Sequence, residues 1–228
     1  MKTKNKILIS TNNYKRAKGK LKISFMYSDE ETLIYDGDTG TWTCVEAVDT
    51  NYFPNSELLT EDQMAQLNTW AGTANQTWSL CYRKSTHGAS SSTFHSQCDN
   101  HSQTYIVVQL STGKLIGGYS TTAWTSSAGW TGISGQNFLF SLTNNYKISH
   151  CTGQHGCNYP QYNHNSYGPT FGGAHDFYID SSINSGYCNL GHDYGCQAGS
   201  YGTTTCRDEF TGGGYNNWTI TDMEVWYF

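Results

Sequence analysis

Residues 168–180 read GPTFGGAHDFYID, and whether His175-Asp176 is a reactive pair or part of a turn decides what kind of domain surrounds it. Pro169 fixes its own φ and favours an extended entry. Gly172-Gly173 can take backbone angles closed to other residues or let another chain approach closely. The alternation that follows reads as a strand over 175–180. In a strand, His175, Phe177 and Ile179 share one face, and Asp176, Tyr178 and Asp180 share the other. A catalytic base must lie within hydrogen-bond reach of the group that orients it. On this reading His175 and Asp176 point apart and form no dyad. His175 is expected to be a structural, hydrogen-bonded histidine, and Asp176 a turn acid or backbone acceptor.

The rest of the chain agrees with a β-rich, non-catalytic reading. Of the 228 residues only 14% are charged, against roughly 25% in an average soluble domain. Ser, Thr, Asn, Gln, Gly and Tyr fill the deficit, which suits a secreted β-rich protein. With 17 Tyr and 7 Trp there is ample aromatic surface to bury, so the chain is not a disordered one. The basic residues Lys2, Lys4, Lys6, Lys15, Arg16, Lys18, Lys20 and Lys22 crowd the start, while all 18 acids lie beyond residue 24. The acidic body argues against a nucleic-acid partner. The basic arm reads as a solvated tail. No apolar run approaches the ~18 residues of a membrane-spanning helix.

Eight cysteines stand at 44, 81, 98, 151, 157, 188, 196 and 206. An even count in a polar body suggests disulfides and an oxidising compartment. The pairing is open. Zinc is the rival, because His150, His155 and His192 lie near cysteines, but no C-x₂-C knuckle occurs. The N-terminus offers only Ile7-Leu8-Ile9 as an apolar run, too short for a signal peptide. A start further upstream, or a fragment of a longer precursor, reconciles this with secretion. Sequons occur at Asn75, Asn100 and Asn217, at about the frequency this composition gives by chance.

Two short strands are expected over 21–35, followed by an Asp36-Gly40 turn that fails the EF-hand pattern. Residues 56–70, SELLTEDQMAQLNTW, give the best helix signal. Thr60 and Gln63 make a capping box, Met64, Leu67 and Trp70 recur at helical spacing, and Gly72 ends it. A second short helix is expected over 90–99. Strands are expected at 78–85, 104–110, 114–120, 137–143 and 216–228. Residues 144–167 and 181–215 read as loops, the second stapled by cysteines.

Four of these stretches stand in an order that resembles the TLDc family. They are WSLCYRKSTHGASSSTFHSQCDNHSQTYIVVQLSTGKLIGGYSTTAW (78–124) with Gly117-Gly118-Tyr119, NFLFSL (137–142), Gly168-Pro169-Thr170-Phe171-Gly172-Gly173 leading into His175-Asp176, and the ending DMEVWYF with Glu224. SELLTEDQMAQL is similar to the family's lead-in helix. The resemblance is best over 56–228 and assigns 44–228 to a TLDc-like domain, with 1–43 an extension outside it. Thr86-His87-Gly88-Ala89 and Ala174 depart from the family pattern. The cysteine content is similar to secreted protist or algal members. The resemblance implies a mainly β fold with a few short helices: a two-sheet antiparallel sandwich, here with disulfide-stapled loops. It implies contact with other proteins and no catalytic machinery.

No G-x-S-x-G, H-E-x-x-H, P-loop or dinucleotide fingerprint is present, so the chain is expected not to be an enzyme and to need no cofactor. The leading expectation is an extracellular interaction or structural module that contacts a partner protein, a matrix or copies of itself. A lectin-like module is the alternative, with Trp124, Trp130, Tyr159, Tyr162, Tyr167 and Tyr194 as ligand contacts and calcium as its one conceivable cofactor. An intracellular role in oxidation resistance or proton-pump regulation is the third.

Overall fold

The computed structural model describes the strands Lys22–Ser28, Glu31–Asp36 and Thr41–Glu46 and residues 51–228 other than 134. The chain divides into two compact units, 1–50 and 51–228. In the first, β1 (Lys22–Ser28), β2 (Glu31–Asp36) and β3 (Thr41–Glu46) form an antiparallel meander with Phe25 opposite Leu33 and Leu33 opposite Cys44. The two strands expected over 21–35 are thus joined by a third. The basic arm and the Asp36-Gly40 turn fall largely outside the described residues.

The second unit is built on two antiparallel sheets. The six-stranded sheet runs β4-β14-β5-β6-β8-β9. Its strands are β4 (Ser79–Arg83), β5 (Thr104–Leu110), β6 (Leu115–Ser120), β8 (Phe138–Ser141), β9 (Tyr146–Ser149) and β14 (Ile220–Tyr227). The C-terminal strand therefore sits inside the sheet, paired with β4 on one side and β5 on the other. The five-stranded sheet runs β13-β12-β11-β10-β7. Its strands are short: β7 (Gly129–Thr131), β10 (Gln161–Asn163), β11 (Thr170–Phe171), β12 (Phe177–Ile179) and β13 (Gly186–Cys188).

Strand β5 shows why the larger sheet is buried on both faces. Ile106, Val108 and Leu110 enter the core between the sheets, with Ile116, Leu139, Phe171, Phe177 and Ile179. Tyr105 and Val107 point the other way, into a second core with Phe53, Trp78, Phe140 and Trp226. Helix α1 (Glu61–Ala71) supplies Met64 and Leu67 to that second core. The unit is therefore a sandwich with a third layer over one sheet. The capping box of α1 forms between Thr60 and Gln63, and Gly72 closes the helix in the left-handed region at φ 74°, as the sequence predicts.

Close packing within the larger sheet explains Gly117, and close approach of the two sheets explains Gly118. A Cβ on Gly117 would lie 1.8 Å from the Ile106 carbonyl oxygen, and one on Gly118 would lie 2.5 Å from the Phe171 ring. Phe171 reaches across from the smaller sheet into that space. Tyr119 turns to the second core and stacks on Phe138 with ring centroids 4.9 Å apart.

Several expectations are revised. The strand beginning at residue 78 ends at Arg83 and gives way to a single turn of helix, α2 (Lys84–His87). Helix α3 (Ser91–Cys98) forms as expected, with Phe94 and Cys98 buried. The 144–167 region contains β9 and β10, and the 181–215 region contains β13 and α4 (Thr204–Thr211), capped by Thr203. These elements carry too few apolar residues to show a period in sequence. The predicted 175–180 strand is only Phe177–Ile179, because Gly172–His175 is a turn.

The cysteines pair as Cys81–Cys98, Cys151–Cys157 and Cys196–Cys206. Cys188 is the exception to the expected full pairing. It is a free thiol with no exposed surface. As an inward residue of β13 opposite Phe177 it belongs to the core between the sheets, where burial pushes its thiol up to about 12. The side chain of Cys44 lies outside the described residues. Among the described residues no helix is long and apolar enough to cross a membrane.

Candidate functional site: an aromatic face on the smaller sheet

The Gly-Gly-x-His-Asp turn is shaped by two buried carboxylates. Gly172 has φ 82°, and a Cβ there would lie 1.8 Å from Asp176 Oδ2. A Cβ on Gly173 would lie 2.5 Å from Asp193 Oδ2, the oxygen that accepts the Gly173 N–H. Both glycines are therefore required because carboxylates press against this backbone. Asp176 is fully buried and accepts the backbone N–H groups of His192 at 2.7 Å, Asp193 at 3.0 Å and Tyr194 at 3.4 Å. It anchors the 191–195 loop. Burial pushes its carboxyl up to about 7 against the opposing pull of those N–H groups.

His175 leaves the turn on the other side. It adopts φ 54°, so the divergence from Asp176 holds, but through a left-handed turn residue and not through strand alternation. Its Nδ1 is 2.6 Å from the Tyr187 hydroxyl, and burial holds its imidazole below the usual histidine range. The ring is packed against tyrosines.

Those tyrosines come from the register of the sheet. Trp130 pairs with Tyr162, Tyr162 with Thr170, Thr170 with Tyr178, and Tyr178 with Tyr187. These residues share one face by the period of the strands. The row beside them, Gln161, Phe171, Phe177 and Cys188, faces the core. The imidazole of His175 lies over the middle of the outer row, with ring centroids 5.8 Å from Trp130, 5.5 Å from Tyr162, 5.5 Å from Tyr178 and 6.0 Å from Tyr187. Tyr215 extends the stack from Tyr187 at 5.1 Å, and Tyr159 extends it from Trp130 at 4.7 Å. The ends are the open parts: Trp130, Tyr159 and Tyr215 keep 37%, 40% and 41% of their surface exposed. Burial raises the Tyr187 hydroxyl to about 12. The face is thus aromatic, rich in neutral hydroxyls and poor in charge. Arg207 stacks over Tyr215 at its edge.

Four of the six loop aromatics singled out in the sequence, Trp130, Tyr159, Tyr162 and Tyr167, meet on or beside this face. Trp124 and Tyr194 do not. Both are core residues: the Trp124 indole donates to Thr104 Oγ1 at 2.8 Å, and the Tyr194 hydroxyl donates to the Pro160 carbonyl at 2.7 Å. The sequence reading missed Tyr178, Tyr187 and Tyr215. Tyr178 was legible as the outward residue of its strand, whereas Tyr187 lay in a region read as loop.

Two further groups bear on the expected sites. Asp176, His192 and Asp193 bring potential metal-ligating atoms within 4.8 Å of one another. Both Asp176 oxygens and Asp193 Oδ2 already accept backbone N–H groups, and Asp193 Oδ2 also faces His192 Nδ1 at 2.7 Å. Asp193 Oδ1 has no hydrogen-bond partner among the described residues and lies 3.9 Å from His150 Nε2. Cys151 and Cys157 bind each other, which removes the thiolates that a zinc site with His150 or His155 would use. Glu224 is fully buried and structural. It accepts Arg83 Nε at 3.0 Å, the Glu57 N–H at 2.7 Å, the Ser56 hydroxyl at 2.6 Å and the Trp226 indole at 3.2 Å. It ties the 51–58 segment to β4 and β14. Pro169 and Gly168 are buried beside the core, where a Cβ on Gly168 would meet Ile179 and Ile183 at under 3 Å. Asn75, Asn100 and Asn217 are exposed.

The TLDc domain family model matches residues 52–228, which is nearly the whole of the second unit. The chain belongs to the TLDc family. A search of curated proteins returns no match. Membership of this family points to a protein-interaction module in general terms. In this TLDc domain the glycines, the aspartate and the glutamate of the quoted motifs hold the sandwich together, and the aromatic face lies next to them on the outside.

Proposed function

We propose that this TLDc domain is a non-enzymatic contact module that works outside the cytosol, and that the outer face of its five-stranded sheet meets a partner protein. The observation that carries the reading is the Trp130–Tyr162–Tyr178–Tyr187–Tyr215 row centred on neutral His175. Tyrosine and tryptophan supply large contact area at low entropic cost, and interface cores are enriched in them and depleted of charge. Interior positions of a folded sheet hold these rings in place before binding, which limits the ordering cost of association. Three disulfides are consistent with an extracellular location.

The test compares proteins retained from the medium of the source cells by immobilised wild type and by a Trp130→Ser/Tyr187→Ser variant with unchanged unfolding midpoint. The proposal expects a discrete retained protein that the variant loses. An unchanged retained set refutes it.

A further inference from the structure

The polar cleft between α3 and the 164–167 loop, at the margin of the aromatic face, has no part in the account above. It encloses about 600 Å³ and is lined by six serines, one asparagine, His95 and Asp99. Its walls are fixed by His95, which is buried. His95 Nδ1 faces Asp99 Oδ1 at 2.7 Å, and Nε2 faces the carbonyl oxygens of His164 at 2.9 Å and Tyr167 at 3.1 Å. Nε2 holds the loop to the helix and Nδ1 is taken by Asp99 at the end of the same helix, so His95 positions the cleft and is not a base for its serines. The second Asp99 oxygen accepts the Ser126 hydroxyl at 2.7 Å.

Ser91 and Ser166 are oriented by Asn165 of that loop. Ser91 donates to the Asn165 carbonyl at 3.1 Å, and Ser166 Oγ lies 3.1 Å from Asn165 Oδ1. A serine whose hydrogen is committed inward keeps acceptor lone pairs, and an asparagine amide adds donors. Among the described residues no lysine or arginine lines the cleft, so phosphate, sulfate and carboxylate ligands would find no counter-charge from them. No apolar side chain among the described residues lines it either, which leaves little for a lipid or a hydrophobic peptide anchor.

The rim supplies the missing half of a recognisable chemistry. Asn165 and Ser166 are flanked by His164 and Tyr167, whose rings lie 4.8 Å apart. Tyr167 in turn contacts Tyr162 at 5.7 Å and Tyr178 at 4.9 Å. A hydroxyl-lined cleft thus shares the 164–167 segment with the edge of the aromatic face. A sugar ring needs both surfaces: hydrogen-bond partners for its hydroxyls and a flat apolar surface for its C–H face.

We infer that this cleft, with the flanking residues His164 and Tyr167 beside it, binds a neutral saccharide. The inference goes beyond the protein-contact reading and can fail or hold independently of it.

The oxidised full chain is titrated with cello-, chito-, manno- and galacto-tetrasaccharides and with a heparin-derived tetrasaccharide, by saturation-transfer NMR and calorimetry. At least one neutral tetrasaccharide is expected to bind saturably with Kd below about 1 mM, and heparin is not. Asn165→Ala, which removes hydrogen bonds at an exposed position, is expected to weaken binding about tenfold. Ser166→Trp, which fills the cleft, is expected to abolish it. Phe228→Ala, at the chain end, is expected to leave it within about twofold. Absence of saturable binding by all four neutral sugars overturns the inference. So does binding of heparin alone, or binding undiminished in both cleft variants with unchanged unfolding midpoints. The Trp130→Ser/Tyr187→Ser variant separates the two readings, because it is expected to lose the protein partner and keep the sugar.

Discussion

Replacing Glu224 by alanine tests the reasoning about the motif residues at its most exposed point. The Glu224 carboxylate has no accessible surface, and its partner Arg83 is 9% exposed. Their contact at 2.9 Å is supplemented by the Glu57 N–H, the Ser56 hydroxyl and the Trp226 indole. Alanine would leave a buried guanidinium with only Glu57 and the Asn55 carbonyl as partners, and three donors without an acceptor. Breaking a buried pair from one side costs about 3–5 kcal/mol. A domain of this size loses about 2–4 °C of melting temperature per kcal/mol, so the expected drop is roughly 6–20 °C. Glu57 is the internal control. It also contacts Arg83 at 3.0 Å, but its side chain is 61% exposed, and Glu57→Ala is expected to cost under about 1 kcal/mol. The double variant Arg83→Met/Glu224→Leu removes both charges and is expected to recover the part of the loss that comes from the unpaired guanidinium. The assay is denaturant and thermal unfolding of the oxidised protein. A Glu224→Ala cost below about 1 kcal/mol, or a Glu57→Ala cost equal to it, would refute the assignment.

Other outcomes follow from the same geometry. Gly172→Ala places a Cβ 1.8 Å from Asp176 Oδ2 at φ 82° and is expected to cost well over about 3 kcal/mol, whereas Gly113→Ala, at φ 83° in open space, is expected to cost about 1; unfolding midpoints compare them. Asp176 has its folded pKa raised to about 7 from 3.8, so its stabilising contribution is complete below the unfolded value and lost as pH rises through the folded one. Relative to Asp176→Asn, the wild type is expected to lose up to about 4 kcal/mol between about pH 4 and pH 8, read from denaturant midpoints at stepped pH. Alkylation followed by mass mapping is expected to find Cys188 protected in the native protein and modified only after unfolding, with the Cys81–Cys98, Cys151–Cys157 and Cys196–Cys206 peptides linked throughout.

What the sequence disclosed depended on how much local signal each element carries. Helix α1 has a capping box, three apolar residues at helical spacing and a terminal glycine, and it forms where these place it. Strands β5 and β6 have β-branched and aromatic runs long enough to show themselves. The smaller sheet does not. Its strands are two or three residues long, below the length at which a period of two can be counted. Their pairing is fixed by long-range contacts, such as Phe171 filling the space over Gly118. The aromatic face was therefore legible only in part, as loop aromatics. Trp124 and Tyr194 show the limit of that signal, because nothing local separates an aromatic that returns to the core from one that stays outside. Asp176 illustrates a related gap. Its role depends on three N–H groups about 17 residues further along the chain, which no neighbouring residue announces.

The most direct test of the contact-module account is site-specific photo-crosslinking in the medium of the source cells. Benzoylphenylalanine is placed at Trp130 or Tyr215 on the aromatic face, and at the exposed Phe228 as the control position. The account predicts a discrete protein adduct from Trp130 and Tyr215 and none from Phe228. No adduct from the face, or the same adducts from Phe228, would contradict it.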